Sequence, residues 1–182
     1  LRGFAVLALL ISEQLKDQIS QAGAAAYPYE CCGLMLGCIL PALAQAQDDG
    51  QMQDDRQVVE LVPAENHWDT SVQEITDPAE ENSTGAGKAL DQHRRYWIDP
   101  EMMLKVQRQA RDRKLDIIGV YHSHPDHPAI PSECDRRLAW PVYSYVIVSV
   151  SAAGTVDFQS WRLDEHHQFQ AEAVKIVDKI CT

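Results

Sequence analysis

Two histidines one residue apart, His122 and His124, close a run of apolar and small residues, Ile117-Ile118-Gly119-Val120-Tyr121. The β-branched residues of that run favour a strand. Side chains alternate along a strand, so both imidazoles point to one face and form a two-nitrogen clamp for a divalent cation. Beyond a loop fixed by Pro125, Pro128 and Pro131, Ser132 opens a short helix with Asp135 in its first turn. A carboxylate there can fold back toward the two rings. Two histidines and one aspartate leave one tetrahedral position for water, the pattern of catalytic rather than structural zinc. Water on zinc has a pKa near ~7, so hydroxide becomes available at neutral pH.

Each part also has a plainer reading. Ser132-x-x-Asp135 is a capping box that satisfies free N–H groups at a helix start. A lone H-x-H pair is more often incidental than metal-binding. The joint pattern changes the balance, because with this chain's own residue frequencies H-x-H-x7-S-x2-D arises by chance about once in a thousand chains of this length. A cap does not exclude a ligand. A zinc hydrolase also needs a base that takes a proton from water and returns it to the leaving amine. Glu30, after Tyr27-Pro28-Tyr29 and before the apolar run Cys31–Leu40, stands at the mouth of a core strand. Spacing alone leaves other acidic residues open for that role. Ser132 is the natural donor to a developing oxyanion, helped by the helix start. It lacks the His–Asp pair that would make it a nucleophile.

The elements that position these residues follow from the pattern. Residues 4–11 read as a buried strand or a lead-in to a helix. Ser12 is an N-cap, and Leu15, Ile19 and Ala22 give a helix over 13–26 that ends by Pro28. Cys31–Leu40 reads as a core strand. Gln, Asp and Gly dominate 41–57, a loop or insertion, and 77–89 is a second one. Val58–Val62 is a strand. Asp99-Pro100 starts a helix to about 113. Strands are predicted at 116–124, 142–150 and 156–163, with a helix from Ser132 to about Ala139. Phe169, Ala171 and Ala173 alternate with polar residues, so 167–178 leans to a strand.

Composition narrows the class. The 182 residues are 45% hydrophobic, enough for one core, and 27 acidic against 16 basic residues give a net charge of −11. That surface repels phosphate backbones and anionic membranes, so neither nucleic acid nor a membrane is an expected partner. Arg2 followed by Phe4–Ile11 looks a little like the start of a signal peptide, but no small-residue cleavage site follows directly, and the run is read as core. Five cysteines, with Cys31 and Cys32 adjacent, are not a disulfide framework and fit a cytoplasmic protein. No inter-domain linker is evident, so 1–182 reads as a single domain.

Glu30, His122, His124, Ser132 and Asp135 together resemble the signature of the JAMM, or MPN-plus (JAB domain), metalloproteases. The contexts Pro28-Tyr29-Glu30-Cys31-Cys32-Gly33, Arg95-Tyr96-Trp97-Ile98-Asp99-Pro100 and Gly119-Val120-Tyr121-His122-Ser123-His124-Pro125 fit as well, and the short prokaryotic branch is the most similar. The resemblance runs from about residue 8 to 178. It implies an α/β fold: a curved mixed sheet sandwiched by helices, with a cytidine-deaminase-like architecture. The deaminase signature itself is absent, which disfavours deamination. It implies Zn²⁺ bound by His122, His124 and Asp135, Glu30 as general base then acid, and Ser132 polarising the carbonyl. It further implies hydrolysis of an amide bond at the C-terminal tail of a ubiquitin-like or sulfur-carrier protein. Some relatives release cysteine from such a carrier.

An extended tail is expected to add as a strand beside a sheet edge. The alternatives are a non-catalytic scaffold of the same fold and a zinc amidohydrolase acting on a small-molecule amide. A homodimer is left open. Among other residues, His127 lacks a family role and Cys134 is expected on the far side of its helix. Trp97, Trp140 and Trp161 are expected in the core or at its rim.

Overall fold

A computed structural model describes residues 8–40, 54–68 and 95–178. The first seven residues, most of the 41–57 stretch and all of 77–89 therefore lie outside the described residues. In chain order the elements are β1 (Ala8–Ile11), α1 (Glu13–Ala26), β2 (Cys32–Leu40), β3 (Asp55–Ala64), α2 (Pro100–Asp112), β4 (Asp116–Pro125), α3 (Glu133–Leu138), β5 (Ser144–Ser151), β6 (Gly154–Leu163) and β7 (Phe169–Ile176). Local chemistry starts the helices. Ser12 accepts from the Leu15 N–H, Asp99 from the Glu101 N–H with Pro100 behind it, and Ser132 from the Asp135 N–H.

The expectation of a curved mixed sheet sandwiched by helices is overturned. The strands close into a mixed barrel in the order β1-β3-β2-β4-β5-β6-β7. Closure depends on β1, which pairs in parallel with β3 through Leu9 and with β7 from Ala8 to Ile11. A four-residue strand between two others leaves no edge for a sheet to stay open. All seven strands contribute to one apolar cluster, including Leu9, Met35, Val58, Ile118, Val146 and the half-buried Phe158 and Val174. Ile19 and Leu15 of α1 join it. These side chains fill the barrel, so α1 is all that the inner face requires. A second cluster on the outer face draws Cys32, Leu34, Val120 and Tyr145 together with Val106 and Ala110 of α2.

Closure is incomplete along some strands. Among the described strands β3 meets β1 only at Arg56 and Gln57, and the rest of it is paired with β2 alone.

The barrel wall sets the direction of the two histidines. A bulge at β4, where Met35 pairs with Gly119 but Leu36 with Ile117, restarts the alternation. Beyond it Tyr121 points inward and Val120 outward. Gly33 pairs with Tyr121, and a Cβ on Gly33 would overlap the Tyr121 ring. That ring is thereby seated flat on β2, and His122 and His124 are left facing outward, toward α2 and α3.

Candidate metal centre

His122 is fully buried and His124 nearly so at the end of β4. Their Nε2 atoms are 3.0 Å apart. Asp135 reaches them from the first turn of α3, with Oδ1 3.4 Å from His122 Nε2 and Oδ2 3.6 Å from His124 Nε2. Three donors at tetrahedral angles on zinc, with bonds of about 2.0–2.2 Å, would be spaced by roughly 3.3 Å. The separations, taken to a different carboxylate oxygen for each ring, bracket that value, so the residues fit a small cation. They form the one His/Cys/Asp/Glu group of this kind among the described residues.

The surroundings prepare the donors. His124 Nδ1 lies 2.9 Å from the Pro128 carbonyl, which can only accept, so Nδ1 carries the proton and Nε2 presents its lone pair. Tyr96 stacks on the His122 ring, with centroids 4.4 Å apart and planes at 26°. His122 Nδ1 is buried and has no hydrogen-bond partner among the described residues. Burial pushes the His122 pKa down to about 3, helped by His124 and opposed by Asp135, so the ring is neutral at physiological pH. Burial works to raise the Asp135 carboxyl. The two imidazoles and the Ser132 hydroxyl outweigh it and hold the group below the usual carboxylate range.

Ser132 and Asp135 form the capping box that the sequence suggested. Asp135 Oδ2 accepts from the Ser132 N–H and Oγ–H, each at 2.6 Å, and the Asp135 N–H donates to Ser132 Oγ at 3.1 Å. The cap and the approach to the histidines coexist on one carboxylate. The Ser132 proton is spent on Asp135, and the side chain is exposed.

Glu30 arrives from the strand beside β4. Cys32 pairs with His122, and Cys31 exchanges two bonds with Ser123: its N–H donates to Ser123 Oγ at 2.9 Å, and its carbonyl accepts from the Ser123 N–H at 3.1 Å. Glu30 is thereby placed beside His124, and both line a depression of about 400 Å³ with Arg95, Ile130, Ser132 and Cys134. Burial, reinforced by the Asp135 charge and opposed by Arg95, pushes the Glu30 carboxyl well above its ordinary value.

Three neighbours carry no role in the sequence pattern, although Arg95 and Tyr96 belong to the Arg95–Pro100 stretch that fits the family. Asn66, just past β3, donates through Nδ2 to the carbonyls of Glu30 (3.3 Å) and Arg95 (2.9 Å), while its Oδ1 accepts from the N–H groups of Trp68 and Trp97. It ties Glu30 to the strap that carries Arg95 and Tyr96. Tyr96 and Arg95 precede a helix by several residues, and no periodicity marks their side chains.

Cys134, expected on the far side of its helix, instead lines the depression, where Arg95 Nη1 donates to its sulfur at 2.7 Å. His127 lines the same depression and is not among the grouped ligands. Trp140, expected in the core or at its rim, is exposed and stacks on Tyr143.

Comparison with known proteins gives the family. Residues 12–164 match the family described as prokaryotic homologs of the JAB domain. This chain belongs to that family. Two desampylases are among its relatives. One, from Haloferax volcanii, is 35% identical over 74 residues, which is 40% of this chain and 52% of the relative. The other, from Pyrococcus furiosus, is 34% identical over 84 residues, 45% and 55% of the two chains. A probable TtuB-protein conjugate cleaving protease from Thermus thermophilus is 42% identical over 53 residues, 29% of this chain and 35% of the relative. The chain thus spans about half the length of the desampylases it matches. A solution structure from Salinibacter ruber is 30% identical, with a TM-score of 0.58 over 92% of this chain and 91% of the other. One from Desulfitobacterium hafniense, at 22% identity and a TM-score of 0.64 over 94% of both chains, is similar in fold.

Proposed function

We propose that this chain is a zinc-dependent peptidase or isopeptidase that hydrolyses an amide bond at the C-terminal tail of a ubiquitin-like or sulfur-carrier protein. One observation carries the reading. Two imidazoles and a carboxylate held below its usual range converge on one point, and a raised carboxyl lines the depression beside them. Relatives named desampylase and TtuB-protein conjugate cleaving protease support the substrate class.

His122, His124 and Asp135 would hold the ion. Bound there, zinc would supply a Lewis acid that makes water nucleophilic near neutral pH. Glu30 takes one proton from the water that adds to the scissile carbonyl and delivers it to the departing nitrogen, so a C–O bond forms as the C–N bond breaks. A carboxyl with a raised pKa suits both halves of that transfer. Ser132 is exposed and can exchange its bond to Asp135 for one to the substrate carbonyl, next to the α3 start. The tail lies in the depression that Glu30 and His124 line.

The test is incubation of the zinc-loaded protein with carrier proteins bearing a C-terminal adduct, followed by mass spectrometry with and without a chelator. Cleavage after the carrier's last residue, lost on chelation and restored by zinc, is the expected result. Metal bound at one equivalent without cleavage of any carrier adduct would point to a scaffold. Cleavage confined to small amides would point to an amidohydrolase. Cleavage that survives both chelation and Glu30→Gln would remove the mechanism.

A further inference from the structure

We propose that the outer face of α2 is a docking surface for the folded body of the carrier, and that it selects a carrier with an acidic face beside its tail. The inference rests on the hydrolase reading above and names the kind of partner which that site serves. The chain is acidic as a whole. Yet five of its 16 basic residues, Lys105, Arg108, Arg111, Arg113 and Lys114, fall within a stretch that holds only one of its 27 acidic residues, Asp112. All five are exposed. Among the described residues only Arg113 of the five forms a salt bridge, with Glu60. Helical spacing puts Leu104, Arg108 and Arg111 on one face with Lys105 at its side, and Glu101 and Asp112 stand at its two ends. Val106 and Ala110 turn the other way, into the core. Leu104 is 60% exposed in the middle of these charges. With Glu101, Lys105, Arg108 and Gln109 it lines a hollow of about 420 Å³. An apolar anchor among cations fits an apolar side chain flanked by carboxylates.

The place suits a carrier whose tail enters the metal centre. Arg95 lines the depression there. From Arg95 to Asp99 the chain spans at most about 14 Å, and Leu104 lies roughly 6 Å along the helix from Pro100. A tail of about six extended residues covers roughly 20 Å, enough to join the two places. Other occupants fit less well. Two copies of this chain joined face to face through α2 would set Lys105, Arg108 and Arg111 against their like. A nucleic-acid duplex or a membrane surface reaches beyond the roughly 20 Å of α2 and would meet a chain whose net charge is −11. A compact acidic face needs only the helix.

The test uses one ubiquitin-like carrier in two forms that share the same tail. One bears a cluster of Asp and Glu beside the tail, and the other has Asn and Gln in their place. Binding to the zinc-loaded Glu30→Gln protein is measured by calorimetry. The acidic form should bind about tenfold to a hundredfold more tightly, as several surface ion pairs together imply. Lys105→Glu, Arg108→Glu and Arg111→Glu combined should abolish that advantage. Lys105→Arg, Arg108→Lys and Arg111→Lys combined should keep it. A peptide of the shared tail alone should bind equally well with and without the reversed charges. Equal binding of the two carrier forms, or an advantage that survives the reversal, would overturn the proposal. So would a reversal that weakens the tail peptide as much as the carrier, or tighter binding of a short DNA duplex or phosphatidylserine vesicles than of the acidic form. The wild-type protein, assayed on adducts of both forms, separates the two readings. Cleavage of both at equal kcat/KM keeps the hydrolase and removes the docking surface. Binding of the acidic form that depends on α2, with cleavage of neither, keeps the docking surface and removes the hydrolase.

Discussion

Two buried polar groups lie on opposite faces of the same barrel wall. Inside, Arg56 donates to Ser144 Oγ at 3.0 Å, and Ser144 and Ser160 donate to Glu172 at 3.1 and 2.6 Å. Arg162 stands 3.7 Å from the same carboxylate. Outside, His122, His124 and Asp135 turn acceptor atoms toward one another. The inner group links strands β3, β5, β6 and β7 through hydrogen bonds that meet on one carboxylate, although Arg56 Nε is left buried without a partner among the described residues. The outer group gathers two imidazoles and a carboxylate, a donor set that suits a small cation. Burial alone therefore does not mark a site, since each group holds one buried nitrogen without a partner among the described residues, Arg56 Nε inside and His122 Nδ1 outside. What marks the site is the set of ligand atoms that it brings together.

Four changes would break or sharpen that contrast. His122→Ala should have the largest effect, lowering bound zinc well below one equivalent by elemental analysis and removing hydrolysis. The inner group should not register the loss. Glu30→Gln should lower the rate about a thousandfold while zinc stays bound, as removal of a general base does.

The same variant has a pH signature in the chelator-treated protein. Because the folded Glu30 carboxyl is raised, its contribution to stability is full below the unfolded value and is lost as pH rises through the folded one. Glu30→Gln should therefore melt higher than the wild type at pH 8, by about 3 °C. That gain should vanish near pH 4. An unchanged difference across the range would contradict the raised carboxyl.

Glu172→Ala tests the other face. It strips the shared acceptor from two hydroxyls and leaves two guanidiniums uncompensated, at a cost of about 3 kcal/mol. Thermal unfolding should fall by about 8 °C with zinc stoichiometry unchanged. Loss of metal in this variant would show that the two faces are coupled. Tyr96→Ala should have the smallest effect. Removing the ring stacked on His122 frees the imidazole and should weaken zinc binding about tenfold, as loss of a ligand's supporting contact does. Tyr96→Phe, which keeps the stack, should bind as the wild type does.

Much of this was legible in the chain. The strand at 116–124 followed from β-branching, and its alternation already put both imidazoles on one side. Ser132 and Asp135 announced a cap, and the cap is what swings Asp135 toward the rings. The segment 167–178, read as a strand from alternation, is β7 at Phe169–Ile176. Asn66 was not legible, and Tyr96 was legible only as part of the Arg95–Pro100 context and not as the ring that stacks on His122, because a loop side chain has no period and its partners are distant in sequence. The inner group was equally hidden: Arg56, Ser144, Ser160 and Glu172 come from four strands and meet only when the barrel is closed.

The closure itself marks the boundary. Local rules give each strand its residues, its facing and its ends, since these depend on neighbours a few positions away. Whether a curved sheet stays open depends on whether its first and last strands find each other. Here that rests on four residues, Ala8–Ile11, pairing with Ala173–Ile176 across most of the chain. A run that short has no pattern by which to foresee its partner. The sequence alone determined the ligands' common face and the capped turn that brings the aspartate to them. Only the tertiary structure decided that the wall behind them is a closed barrel, and which buried polar groups are satisfied within it.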